Sequence, residues 1–222
     1  MWIEVTGEGA TDVGKTERNP KAKGLPDRGV VPPLLSALCG RPENLRVRCQ
    51  PLAQLQHGNL QRKVRFAKEK AYYNKAHAAV FVVDTEGDAP RKVLAQLRAG
   101  RDEKLAEFPM AVGVAHPCIE AWLLADADAI RGATRRDTEL DLPPEPESLP
   151  APRRDRSRNP KTELARLAGE IERTPARVAT EIARSIRELS RVEASCPEGF
   201  APFAEEVRSR IAPLFSPPVD PS

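Results

Sequence analysis

The chain reads as an α/β protein built on a mostly parallel sheet with a helical C-terminal extension, and three observations predict this. Short apolar runs alternate with longer amphipathic ones through the first half, the order that strands and crossover helices take in a parallel sheet. One run, 78–83 (AAVFVV), is continuously apolar and closed by Asp84, as expected of a strand covered on both faces. Beyond residue 160 the apolar residues recur at helical spacing.

Taken in order, 2–6 reads as a strand and 7–28 as a loop rich in Gly, Pro and charge. Residues 30–38 (VVPPLLSAL) read as a helix opened by its prolines and closed before Gly40. The alternation of 45–50 fits a strand. Residues 60–77 read as a helix whose basic residues, Arg62, Lys63, Arg65, Lys68, Lys70 and Lys75, form a solvent face. After the strand 78–83 come a helix over 90–108 and a strand over 110–115. Pro117 is then expected to open a helix that buries Ile119, Trp122 and Leu123. Residues 133–159 hold PPEPESLPAP and RRDRSRN without apolar periodicity and read as a long loop. Leu164, Leu167, Ala168 and Ile171 make one helical stripe, Val178, Ile182, Ile186 and Leu189 another, and 200–215 is amphipathic. This divides the chain into an α/β domain (1–132), a Pro/Arg-rich loop (133–159) and a helical subdomain packed on the sheet (160–215).

Composition narrows the function. The 35 basic and 32 acidic residues leave a net charge of only +3, so nucleic-acid binding would require a local basic patch. Cys39, Cys49, Cys118 and Cys196 lack C-x-x-C spacing, which fits reduced thiols and a cytoplasmic protein. No run is long enough for a membrane-spanning helix, so no membrane partner is expected.

The segment GEGATDVGKTE, residues 7–17, carries two competing motifs. Gly9, Gly14, Lys15 and Thr16 match G-x-x-x-x-G-K-[ST], in which a loop and the following helix N-terminus cradle phosphates. The strand ending in Asp84 resembles the magnesium-holding strand of such proteins. However, Pro20, Gly24, Pro26 and Gly29 follow Thr16 and deny the motif its helix, since an interior proline costs roughly 3 kcal/mol. Asp12 would also place a negative charge among the phosphates. The other reading is acidic: Glu8 and Asp12 follow one strand, and Asp84, Glu86 and Asp88 follow another. Carboxylates gathered at one sheet edge repel unless a hard divalent cation, Mg²⁺ or Mn²⁺, neutralises them. Asp88 also stands where a helix N-cap is expected, ahead of Ala89-Pro90.

Glu8-Gly9 after an N-terminal strand, followed by a buried strand ending in the D-x-D-like Asp84-Thr85-Glu86, resembles the TOPRIM domain of topoisomerases, bacterial primases and OLD-type nucleases. The stretch 116–126 (HPCIEAWLLAD) is similar to the P-x-x-E-x-W-L-L-x-D segment of a TOPRIM-like group of small bacterial proteins of unassigned function. Members of that group are often paired with an ABC-type ATPase in phage-defence loci. Asn159-Pro160-Lys161 and 196–200 (CPEGF) resemble later motifs of the same group, so the similarity spans Glu8 to about Phe203. The resemblance implies that Glu8 is a metal ligand or general acid/base and that Asp12, Asp84 and Glu86 are metal ligands. Glu120 would be a further acid of the site, and Lys161 a phosphate contact. Glu86 departs from the usual second aspartate, and the Gly/Pro/Lys-rich stretch after Asp12 departs from the usual helix. Trp122, Cys196 and Phe200 read as structural.

The resulting expectation is Mg-dependent phosphodiester cleavage of nucleic acid, DNA rather than RNA, with Arg153, Arg154, Arg156 and Arg158 along the backbone. Two alternatives stay open: a non-catalytic subunit that binds nucleic acid or an ATPase, and an NTP-binding protein.

Overall fold

A computed structural model describes residues 1–9, 11–13, 29–55, 58–135, 139–169 and 175–215. Four strands form one parallel sheet in the order β2-β1-β3-β4, with β1 at Trp2–Gly7, β2 at Arg46–Pro51, β3 at Ala78–Asp84 and β4 at Met110–Ala115. The crossovers carry α1 (Val31–Leu38), α2 (Leu60–Tyr73) and α3 (Pro90–Asp102). β1 to β2 moves one way along the sheet and β2 to β3 to β4 the other. Right-handed crossovers therefore place α1 on one face and α2 with α3 on the opposite face. This is the Rossmann-like α/β arrangement.

Alternation along the strands sorts the core into two layers. Ala78, Val80 and Val82 of β3 pack into the layer that holds Leu34 and Leu35 of α1. Ala79, Phe81 and Val83 face Val64, Ala67 and Ala71 of α2 and Val93, Leu94 and Leu97 of α3. Among the described residues, six α-helices follow β4: α4 (Glu120–Leu123), α5 (Ala127–Thr134), α6 (Pro160–Ala168), α7 (Pro175–Ser185), α8 (Leu189–Ser195) and α9 (Phe200–Arg210). Their apolar residues join the α1 layer, so sheet and C-terminal helices share one core. Trp122 is its centre, fully buried, edge-on to Phe200 and stacked on Phe203, each at 5.3 Å. Gly113 of β4 makes room for this stack, since a Cβ there would lie 2.6 Å from the Phe203 ring.

Several boundaries differ from the sequence reading. α2 stops at Tyr73 rather than 77 because Lys75 takes φ 61°, and the Lys75 and Ala76 amides turn back onto the Tyr72 and Ala71 carbonyls. Lys68 leaves the solvent face altogether. It is 2% exposed and donates to the Arg101 carbonyl at the end of α3 (2.6 Å). α3 ends at Asp102, and Leu105 at φ 53° turns the chain toward β4. Pro117 opens no helix: the His116–Pro117 peptide is cis, and α4 starts at Glu120 after a tight turn. Leu189 falls on α8, separate from Val178 and Ile182 of α7, and Ile186 lies one residue past the end of α7. Ile171 and Gly14-Lys15-Thr16 lie outside the described residues.

Among the described residues, no helix is long and apolar enough to cross a membrane.

Gly100 fixes the spacing of α2 against α3, because a Cβ there would sit 2.2 Å from the Gln61 carbonyl oxygen. Gly100→Ala must push the two helices apart. It is expected to destabilise by about 1–3 kcal/mol, a fall of roughly 3–10 °C in melting temperature. An unchanged calorimetric melt would show that the helices do not approach this closely.

Candidate functional site

Strand order places a crevice at the carboxyl ends of β1 and β3, where the chain leaves the sheet in opposite directions, and open parallel sheets bind ligands at such a switch point. Glu8 immediately follows β1. The chain then turns sharply, with the Asp12 and Val13 amides donating to the Gly9 carbonyl and the Gly9 amide donating to Asp12 Oδ2 (3.0 Å). This turn requires Gly7, because a Cβ there would meet Val13 Cγ1 at 2.6 Å. The turn also bonds to the start of α1, since the Thr11 and Asp12 carbonyls accept from the Val30 and Val31 amides. Asp12 is thereby held 7% exposed beside the sheet end.

Asp84 ends β3 in register with Ala115 and accepts from the Ile119 amide (3.1 Å). The same turn brings Glu120 in at the start of α4. Glu120 is 8% exposed, and its Oε2 is buried without a hydrogen-bond partner. Lys161 comes from the first turn of α6, which Asn159 caps by accepting the Lys161 and Thr162 amides. A lysine there opposes the helix dipole, so its favourable partners are the carboxylates across the crevice.

The charges of these groups are strongly coupled. Burial, then Asp12 and Glu86, raise Glu8 to about 6 against the pull of Lys161 and Arg153. Burial and the nearby Glu120 raise Asp12 to about 6, although its bond to the Gly9 amide works the other way. Asp84 is pushed well above the ordinary carboxylate range by burial, then by Asp12, Glu120 and Glu8. Burial alone would lower the Lys161 ammonium, but Glu120, Asp84 and Asp12 outweigh it and hold it above its ordinary value. The Cys118 thiol is driven up by burial and by Glu120 and Asp84, which keeps it protonated. Glu8 and Lys161 stand at the exposed rim, where water screens their share; Asp12 and Glu120 have no such relief.

Glu8, Asp12, Asp84, Glu120 and Lys161 thus meet at one edge. Glu86 sits beside them with φ 50°, and its carboxylate pairs with Arg153 (2.6 Å). Asp88 is exposed and does not cap α3, whose N-cap, Ala89, makes no side-chain cap bond. The arginine run divides. Arg153 holds Glu86 and Arg154 donates to the Gly87 carbonyl (3.0 Å), so both fold onto the turn after β3, while Arg156 and Arg158 are exposed. Among the described residues, no group of three or more His, Cys, Asp or Glu is placed to hold a metal ion as it stands.

Sequence reasoning missed the supports. Thr85, 3% exposed, bonds His116 Nδ1 at 2.8 Å and links the ends of β3 and β4. Glu147 reaches from the Pro-rich segment and accepts the Glu198 and Gly199 amides at the start of α9, both at 2.8 Å. No periodicity marks such residues. The only signal for Glu147 was an acid within a proline-rich stretch, which reads as solvent-exposed.

No family model matches the chain, and no curated protein or solved structure gives a significant match.

Asp12 is disfavoured as an anion in the fold, so its contribution to stability is fully present below about pH 4 and is lost as pH rises through about 6. In EDTA, Asp12→Asn keeps an oxygen for the Gly9 amide and removes the charge. It is expected to melt a few degrees above the unmodified protein at pH 8, about 1–2 kcal/mol, and to lose that advantage near pH 4. Parallel melting curves across pH with no such divergence would contradict the assigned crowding.

Proposed function

We propose that the chain is a metal-dependent phosphodiesterase acting on nucleic acid, DNA in preference to RNA, through a TOPRIM-like acidic site. The observation that carries this reading is the convergence of Glu8, Asp12, Asp84 and Glu120 with Lys161 at the β1/β3 switch point. Among the described residues these four carboxylates outnumber Lys161 and leave a negative crevice, which alone would repel a phosphodiester.

The donor chemistry suits a hard divalent cation. All the candidate donors are carboxylate oxygens, and the Glu120 Oε2 atom, buried and unpartnered, lacks the hydrogen bond that buried acceptors normally make. In this reading Asp12, Asp84 and Glu120, which do not form a ligand set as they stand, would draw together on Mg²⁺ or Mn²⁺, with Glu8 and Glu86 at the rim. The bound ion would neutralise the carboxylates and polarise a phosphate oxygen.

The protein's own groups have distinct tasks. The Ile119 amide fixes Asp84, and the Gly9 amide fixes Asp12, so both carboxylates face the crevice before any ligand arrives. Lys161, kept charged by its acidic neighbours, draws a phosphate in and stabilises charge that grows on its oxygens. Glu8, at about 6, is close enough to neutrality to take a proton from an attacking water or return one to a leaving oxygen. Arg156 and Arg158, exposed beside Lys161, suit the flanking backbone. An ABC-type ATPase partner belongs to this proposal on the resemblance alone.

The test is nicking of supercoiled plasmid with Mg²⁺ or Mn²⁺. Asp84→Asn, Glu120→Gln and Lys161→Met are each expected to lower the rate by about 100-fold or more, and EDTA to abolish it. Equal nicking by the unmodified protein and all three variants would reveal a contaminating nuclease and sink the assignment.

A further inference from the structure

Beside the acidic crevice lies a cleft of about 770 Å³, within the size range of small-molecule sites. It begins at Gly87, one residue past Glu86, and at His116, one residue past the register partner of Asp84. A nucleotide whose phosphate reaches the acidic crevice therefore has this cleft next to it.

The lining is mixed. Pro117, Leu149 and Pro150 give it apolar surface. The exposed carboxylates Glu145 and Glu198 also line it, with Glu198 Oε2 3.9 Å from His116 Nε2. Glu147 also lines the cleft, but its oxygens are engaged by the Glu198 and Gly199 amides, so it fixes the wall. Arg154 turns an N–H onto the Gly87 carbonyl. Arg154 keeps its charge, but the two exposed carboxylates outnumber it, which disfavours a phosphate and favours a ring with hydrogen-bond donors. Carboxylates accept from the exocyclic amino group of cytosine, whereas thymine presents an oxygen at that position.

We propose that this cleft is a nucleobase site for a base bearing an exocyclic amino group, cytosine over thymine, read by Glu145 and Glu198 beside the scissile phosphate. The proposal rests on the nucleic-acid reading of the crevice. The base comes either from a strand or from a free nucleotide.

The experiment measures equilibrium binding of the full chain to short oligo-dC and oligo-dT, and to dCMP and dTMP, with Ca²⁺ replacing Mg²⁺. Cytosine is expected to bind about tenfold more tightly than thymine. The Glu145→Ala/Glu198→Ala variant is expected to reduce that ratio to about twofold or less, with an unchanged melting temperature because both side chains are exposed. Preference in the oligonucleotides alone supports a base within a strand; preference in the monophosphates as well supports a free-nucleotide site. Equal binding of the two bases, no binding of either, or a preference that survives the double substitution overturns the proposal. Cleavage of both oligonucleotides in Mg²⁺ without base preference would remove the cleft's role and leave the phosphodiesterase reading standing. A cytosine preference without cleavage would remove catalysis and leave the base site.

Discussion

The pairing of β1 with β3 is the constraint from which the rest of the architecture follows. Ile3, Glu4, Val5 and Thr6 lie opposite Ala78, Ala79, Val80 and Phe81, so the first strand sits inside the sheet with β2 on its far side. That interior position sends the crossovers to opposite faces and opens the crevice between the two strand ends. It also sets Glu8 and Asp84, far apart in the chain, at a single edge. The two apolar layers hold this arrangement against the repulsion that it creates. Two unit charges 4 Å apart repel by about 4 kcal/mol at the effective dielectric of a protein surface, so the acidic edge needs a well-packed sheet behind it.

Charge balance explains the composition of that edge. Among the described residues Lys161 faces several acids, and Glu8, Asp12 and Asp84 hold their protons above the ordinary carboxylate range. Protonation relieves the edge in mildly acidic solution, and a cation would relieve it at neutral pH. Lys161 stands at a helix start, the wrong end for a cation by the dipole alone, which marks its placement as serving the crevice rather than the helix. Asn159 makes that placement possible by satisfying the amides of the first turn, including that of Lys161 itself.

The sheet was legible because strands buried on both faces have to be apolar throughout, and 78–83 and 110–115 are. The acids at the strand ends were legible for a related reason, since a charge directly after such a strand has few structural uses. Helix ends were not, because Lys75 and Leu105 stop their segments through backbone angles that side-chain patterns do not encode. Lys68 was misplaced because a basic residue among basic residues gives no sign that its ammonium reaches a carbonyl on another helix. Glu86 was read from its spacing to Asp84, but spacing cannot show that an arginine far along the chain takes up its carboxylate.

The shared core has a consequence for how the chain is made. The sheet, with Glu8, Asp12 and Asp84, is complete once β4 has been synthesised and Glu120 follows at once on α4, yet Lys161 and the Phe200–Phe203 pair that packs on Trp122 come later. At roughly 5–20 residues per second, several seconds pass before they arrive. Throughout that interval the nascent sheet carries its acids without Lys161, and the face that α1 covers in part lacks the C-terminal helices that complete its core. The fold therefore closes last over its site, and a chain released early would display the acids and the half-covered face together.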